Sequence, residues 1–345
     1  MEKYKNFLNH KIVFRCDAAD IPEIGSGHVY RSIIIAKFLK KKFQLKSNQI
    51  VFLVKTKKKY TKNLEILNKS DFKIIELNYK IKDYSKQEAE CLKKIKANLL
   101  IIDRLGKVTK NFYEIIKNNF KKIIIIDDSS KHRKLFDLSL NPLIQNVPTF
   151  KGSRIGYKYL IIDYFKNQNT KVKKNIKNIF IFFGGFDSKN LSYRVIKSLD
   201  KIDFSLNIIL PLAYKNTIKG NKSKHKIIFF KPEKYFHELM KSNIAIIAGG
   251  LSLFDAILNK KKIICIPQYK HQEINAKKIF KTNSINYLSP DNMKFNSILE
   301  NIFLKIYKNA SYLKKINTIQ KRIINIKKIK YTLELISKVY DKSKN

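Results

Sequence analysis

A chain of 345 residues is longer than a single hydrophobic core usually grows, and 44% hydrophobic residues suffice to build two domains. Its formal net charge of +45 points toward nucleic acid or anionic membrane, yet only seven of the 72 basic residues are Arg, and the 65 Lys are spread through every segment. Arg supplies the planar fork that grips bases and phosphates, so an even Lys excess without a recognisable motif argues against specific nucleic acid binding and leaves weak peripheral contact with anionic membrane as the expectation.

Three cysteines, Cys16, Cys91 and Cys265, exclude a disulfide framework and fit a reducing compartment. No Cys/His spacing suggests a metal, and no cofactor is expected. Residues 1–11 lack the apolar core of a signal peptide, and no apolar run is long enough to span a bilayer, so the expectation is a soluble cytoplasmic protein.

In chain order, the apolar run Ile12 to Phe14 reads as a buried strand at 11–16, followed by Asp17, Asp20 and Pro22 and by the turn Gly25-Ser26-Gly27-His28. Ile35, Leu39 and Phe43 then recur every four residues beside Ala36, so a helix starts at that turn. Strand, glycine turn and helix aim backbone N–H groups and a positive dipole end at an anion above the strand. His28, in the first helical turn, is placed to take a proton from water or a hydroxyl; the plainer alternative is a tight βα turn with an ordinary histidine. Further strands are expected at 49–54, 72–77, 98–102 and 122–127, separated by segments long enough for crossover helices, which makes a parallel sheet covered on both faces. Two of these strands end in Asp103-Arg104-Leu105-Gly106 and Asp127-Asp128-Ser129-Ser130, at the edge where open α/β sheets meet ligands, although Asp and Ser there are also common helix caps.

The alternation pauses over 137–176, where prolines, glycines and the polar tract Asn167 to Lys174 mark a domain boundary. A second series follows: a strand at 178–183, Gly184-Gly185-Phe186-Asp187, a helix from Lys189, and strands near Ile208 to Leu210, Ile227 to Phe230, Ile244 to Ala248 and Ile263 to Ile266. Ala248-Gly249-Gly250-Leu251-Ser252-Leu253-Phe254-Asp255-Ala256 again joins a buried strand to a helix through glycines. Its backbone N–H groups suit a diphosphate and Asp255 suits a ribose diol, or else Ser252 and Asp255 form a capping box. In Pro267 to Ala276, Gln272 and Asn275 stand three apart on one helix face. A single Lys/Ile helix, about 309–340, is expected to close the chain and pack back across both domains. The resulting division is 1–165, 175–308 and 309–345.

Four motifs in this order resemble the PseG/SpsG family: R-x-D followed by I-G-x-G-H-x-x-R (Arg15, Asp17, Ile24, Gly25, Gly27, His28, Arg31), F-G-G-x-D (Phe183 to Asp187), A-G-G-x-S-x-x-[DE]-A (Ala248 to Ala256) and H-Q-x-x-N-A (His271 to Ala276). The resemblance spans about 11 to 283. The family's UDP-sugar hydrolases act in the pseudaminic acid pathway and are similar to MurG, with the GT-B fold of two facing Rossmann-like domains. It implies that the second domain holds UDP and that the first presents His28 as the base activating water at the anomeric carbon, with Gly25 and Gly27 forming the catalytic turn. It also implies that Gly184, Gly185 and Asp187 line the cleft, that Gly249, Gly250 and Ser252 hold the diphosphate, that Asp255 takes the ribose, and that Gln272 and Asn275 are cleft contacts. Arg15, Asp17 and Asp103 complete the expected substrate site. Three positions depart from the hydrolases: Arg104-Leu105 stands for His-Tyr, Phe186 for Thr and Asp255 for Glu. Leu105 cannot position water, so a GT-B glycosyltransferase in which His28 deprotonates an acceptor hydroxyl is the alternative, and a Lys-rich nucleic-acid or scaffold protein is the non-enzymatic one.

Overall fold

The computed structural model describes residues 10–19, 25–143, 146–163, 175–220, 222–309 and 311–344; Asp20, Pro22 and Ile24 of the first motif and the tract 167–174 lie outside them. The chain divides into two compact units, one of residues 1–161 with 326–345, the other of residues 162–325.

Unit 1 runs β1 (His10–Cys16), α1 (Gly27–Phe43), β2 (Ile50–Lys55), α2 (Lys62–Leu67), β3 (Lys73–Leu77), α3 (Lys86–Lys93), β4 (Ala97–Gly106), α4 (Lys110–Ile116), β5 (Phe120–Asp128), β6 (Leu138–Asn141) and β7 (Arg154–Ile155). All seven strands are parallel in the order β3-β2-β1-β4-β5-β6-β7, so the order reverses between β1 and β4. The expected strands are present, and their unbroken apolar runs have the expected cause: Ile50 to Val54 and Leu99 to Ile102 are fully buried because helices cover both faces. The pause over 137–176 is partly apparent, since β6 and β7 continue the first sheet through it. Ser85 and Thr109 cap α3 and α4, each accepting a backbone N–H three residues on, from Glu88 and Phe112.

Unit 2 runs β8 (Asn175–Phe182), α5 (Leu191–Leu199), β9 (Asn207–Pro211), β10 (Lys226–Phe230), α6 (Tyr235–Lys241), β11 (Ser242–Ile247), α7 (Leu251–Leu258), β12 (Lys262–Cys265), α8 (Lys270–Phe280), β13 (Asn286–Tyr287), α9 (Phe295–Lys308) and α10 (Tyr312–Ile323). Its six parallel strands are ordered β10-β9-β8-β11-β12-β13, reversing between β8 and β11. Each unit therefore has its own topological switch point, the place where open α/β sheets bind ligands.

The single closing helix expected over 309–340 is two helices, α10 and α11 (Ile326–Asp341), separated by the extended residue Ile324. Neither glycine nor proline marks the break. Its physical reason is that the two apolar stripes serve different cores. Gln320 of α10 donates to the carbonyls of Lys261 and Ser284 in unit 2, whereas α11 lies on unit 1, where Tyr340 packs edge-on to Phe43 of α1 and Lys42 pairs with Glu334.

Candidate active site

At the switch point of unit 1, α1 begins after Gly25, whose φ of +59° is the left-handed conformation that glycine adopts without steric penalty. Ser26 occupies the cap position without a side-chain hydrogen bond, and the first turn, beginning at Gly27, carries no acidic residue. This helix start brings His28 and Arg31, three residues apart and so on one face, against the end of β4. His28 Nδ1 lies 2.8 Å from Asp103 Oδ1. Arg31 donates from Nε to Asp103 Oδ2 at 2.8 Å, from Nη2 to Asp103 Oδ1, and from Nη1 to Asp127 Oδ2 at 2.8 Å. The Ser32 hydroxyl adds a long contact of 3.4 Å to Asp103 Oδ2.

Burial alone would raise the Asp103 carboxyl, but the charge of Arg31 and the hydrogen bonds from Arg31 and His28 outweigh it and hold the carboxyl below the ordinary aspartate range. An ionised carboxylate only accepts, so the network assigns the imidazole proton to Nδ1 and leaves the lone pair on Nε2. In that tautomer the 3.3 Å approach of Arg31 Nη2 to Nδ1 is a contact between two donors and not a hydrogen bond. About 9% of the His28 side chain remains accessible, while Asp103 and Asp127 are sealed. A carboxylate behind a histidine whose far nitrogen has no hydrogen-bond partner among the described residues is the arrangement of a general base.

Arg15 and Asp17, expected as substrate contacts, are placed elsewhere. Arg15 is fully buried and donates from Nε to Glu88 Oε1 at 2.6 Å, and its Nη1 lies 2.7 Å from Asp17 Oδ2. Asp17 Oδ1 accepts the backbone N–H of Lys55 at 2.8 Å, and burial raises its carboxyl despite Arg15. Arg104 clamps Glu88 with two bonds of 2.6 Å, and Lys55 reaches Asp83 at 2.5 Å. Charge pairing explains the placement: Arg15 and Arg104 are paired with buried carboxylates, so Arg15 and Asp17 tie β1 to α3 and β2. Reading the sequence missed Arg31 and Asp127 as partners of the pair. The spacing of Arg31 from His28 was a usable signal; Asp127 stood out only as a strand-end residue at the ligand edge, with nothing local to tie it to Arg31.

In unit 2 the residues gather at the ends of β8, β11 and β12. Gly184 has φ +103°, and its carbonyl accepts from the Tyr214 hydroxyl at 2.6 Å. Asp187, expected to line a cleft, instead caps α5: its two oxygens accept the N–H groups of Leu191 and Ser192 at 2.8 Å each and the Ser192 hydroxyl at 2.6 Å. Gly185 is exposed. A Cβ on Gly249 would stand 2.4 Å from the carbonyl oxygen of Gln272, so only glycine lets β11 pass this close to α8. Gly250 precedes α7 with no side-chain cap, leaving its first N–H groups toward the sheet's carboxyl edge. Ser252 is half-buried in that first turn. Asp255 is buried and accepts from the Tyr235 hydroxyl at 3.1 Å. The side chain of Gln272 accepts from the backbone N–H of Gln268 at 2.9 Å, Gln268 in turn donates to the Phe183 and Phe186 carbonyls, and Asn275 is buried in α8. Thus Gln268, which the sequence reading passed over, ties the Gly184-Gly185 turn to Gln272, the residue packed against Gly249 and Gly250. Among the described residues, no group of three or more His, Cys, Asp or Glu could hold a metal.

Two doubly wound parallel units define a chain of the GT-B fold class. MurG of Acinetobacter baumannii superimposes with a TM-score of 0.63 at 13% identity, covering 95% of this chain and 99% of that one; the spinosyn forosaminyltransferase SpnP gives 0.62 at 8%, covering 95% and 99%. These likenesses concern the fold alone. No protein-family model matches. By sequence, the chain is 30% identical over 294 residues to an uncharacterized protein of Methanocaldococcus jannaschii, covering 76% of this chain and 57% of that one. It is 24% identical over 204 residues to the spore coat polysaccharide biosynthesis protein SpsG of Bacillus subtilis, covering 54% and 60%. It is 27% identical over 283 residues to the UDP-2,4-diacetamido-2,4,6-trideoxy-beta-L-altropyranose hydrolase of Campylobacter jejuni, covering 77% and 94%. The chain thus spans under two thirds of the first two relatives. The resemblance carried by the four motifs is borne out in that the chain is similar to proteins bearing these names, an SpsG and a UDP-sugar hydrolase.

Proposed function

We propose that the protein processes UDP-sugars and hydrolyses a UDP-linked amino-deoxy sugar of the kind used in pseudaminic-acid-type biosynthesis. The observation that supports this most is the His28–Asp103 pair, with Nδ1 committed at 2.8 Å to a carboxylate held ionised. In the proposed reaction, water attacks C1, Nε2 of His28 takes its proton, the bond from C1 to the diphosphate oxygen breaks, and UDP leaves with the electron pair. Backbone N–H groups of Gly250 and the first turn of α7, with the Ser252 hydroxyl, offset the charge of the departing diphosphate. Asp255, Gln272 and Asn275 are assigned to UDP, and Gly184 and Gly185 to the substrate. Free thiols at Cys16, Cys91 and Cys265 fit the cytoplasm, where nucleotide sugars are made.

The end of β4 favours a second reading. Leu105 is half-buried and Arg104 is consumed by Glu88, so no polar side chain directly after Asp103 is left to hold a water. In this reading a sugar is transferred to an acceptor hydroxyl, and the Lys-rich surface keeps the protein near anionic membrane. No helix among the described residues is long and apolar enough to cross a bilayer. Incubation with a panel of UDP-sugars, with product NMR, tests both. UDP release without acceptor is expected; release only with acceptor establishes transfer, and no UDP binding by calorimetry overturns both.

A further inference from the structure

β5 breaks the rule of strands at one residue. Ile123 and Ile125 face the α3/α4 side of the sheet with Val13, Leu100 and Ile102, so simple alternation would send Asp127 there too. Instead its backbone turns left-handed, φ +56°, and its carboxylate reaches Arg31 of α1 on the opposite side. Asp128 is inverted in step: its Oδ2 accepts the N–H of Val108, which belongs to the α3/α4 core. A left-handed aspartate in a fully buried strand end is unfavourable unless its surroundings hold it. Here the holders are Arg31 Nη1 at 2.8 Å and the N–H of Leu143, which donates to Asp127 Oδ1 at 3.1 Å.

We propose that Arg31 and Asp127 are positioning residues for the His28–Asp103 pair, and that the kink at Asp127 serves to bring a second carboxylate to Arg31. The inference rests on the reading of His28 as base. Arg31 is 1% exposed and spends Nε and Nη2 on Asp103 and Nη1 on Asp127. Anchored at both ends, the guanidinium fixes the plane of the Asp103 carboxylate, and that plane fixes the imidazole. Without Asp127 the fork pivots about Asp103, and the direction of Nε2 is lost although the base and its carboxylate remain.

Asp127→Asn, Asp127→Gly and Arg31→Lys are compared with wild type and His28→Ala in turnover of the accepted UDP-sugar, in thermal unfolding, and in nitrogen-15 spectra of labelled histidine at alkaline pH, with the His28 signal identified by its loss in His28→Ala. In each Asp127 variant, kcat should fall roughly 10- to 100-fold, as misplaced catalytic groups do, with KM within about twofold of wild type. Both Asp127 variants remove a buried partner of Arg31 and should lower Tm, so kcat is read at a temperature where unfolding curves show each variant folded. His28 should be a Nδ1–H tautomer in wild type and a mixture in the Asp127 variants. Unchanged kcat in the folded Asp127 variants, or a lowered kcat with the His28 tautomer still that of wild type, would overturn the inference. If wild type turns over no UDP-sugar, the reading of His28 as base fails separately; the tautomer then decides, and identical His28 spectra in wild type and Asp127→Asn refute the positioning role.

Discussion

Two buried charged clusters sit at the carboxyl edge of the first sheet, on opposite faces of the same strands. On one face, Glu88 is saturated: Arg15 and Arg104 take both carboxylate oxygens, and the backbone N–H of Tyr84 donates to Oε2 at 2.6 Å. On the other, Asp103 is equally sealed but ends on an imidazole that keeps an accessible edge. Strand alternation separates them, since Arg15 and Arg104 continue the rows of Val13 and Ile102 while Asp103 continues that of Ile101. Burial and ion pairing are common to both. What marks a candidate catalytic group is the nitrogen the network leaves uncommitted.

The largest expected effect breaks the second cluster. Asp103→Asn should lower kcat by about three to four orders of magnitude with UDP affinity unchanged, because an amide can hold the imidazole in the wrong tautomer. His28→Ala should cost about two to four orders. Steady-state kinetics and calorimetry check both, and retained turnover would remove the pair from the chemistry. Glu88→Ala should behave oppositely, destabilising the fold by about 3–5 kcal/mol, since two guanidinia lose a buried partner, while leaving the kcat of folded protein near wild type. Denaturant titration beside kinetics would show it.

Acid sharpens the contrast. Burial raises the Glu88 carboxyl, but Arg104 and Arg15 outweigh it and hold the group well below the usual glutamate range. Its stabilisation is therefore complete above the unfolded value of about 4.3 and is lost as pH falls through the lower folded one. Asp103, also lowered, acts in the same direction, whereas Asp17, raised by burial, acts against them. Tm should fall steeply below about pH 4, and Glu88→Gln should flatten that slope; an unaltered slope would make the cluster irrelevant to acid unfolding.

Smaller effects belong to unit 2. Gly249→Ala should destabilise by about 1–3 kcal/mol because its methyl group meets the Gln272 carbonyl. Asp187→Ala should cost about 1 kcal/mol as a lost helix cap, with KM for the UDP-sugar unchanged. A raised KM would return Asp187 to substrate binding.

The sequence by itself determined the two parallel α/β units, because doubly covered strands must be continuously apolar, and it located both glycine turns and the helix bearing His28. It also placed Asp103 at a strand end, where a ligand or a partner was to be expected. Tertiary structure alone decided the partners. Residues 72 or more positions apart meet only across the sheet, so the Asp103 partnership with His28 and Arg31, and the Arg15 partnership with Glu88, left no local pattern. Asp127 goes further: its face is set by one backbone dihedral that opposes local preference, and the buried Arg31 guanidinium on the far side, with the Leu143 N–H, helps hold that conformation.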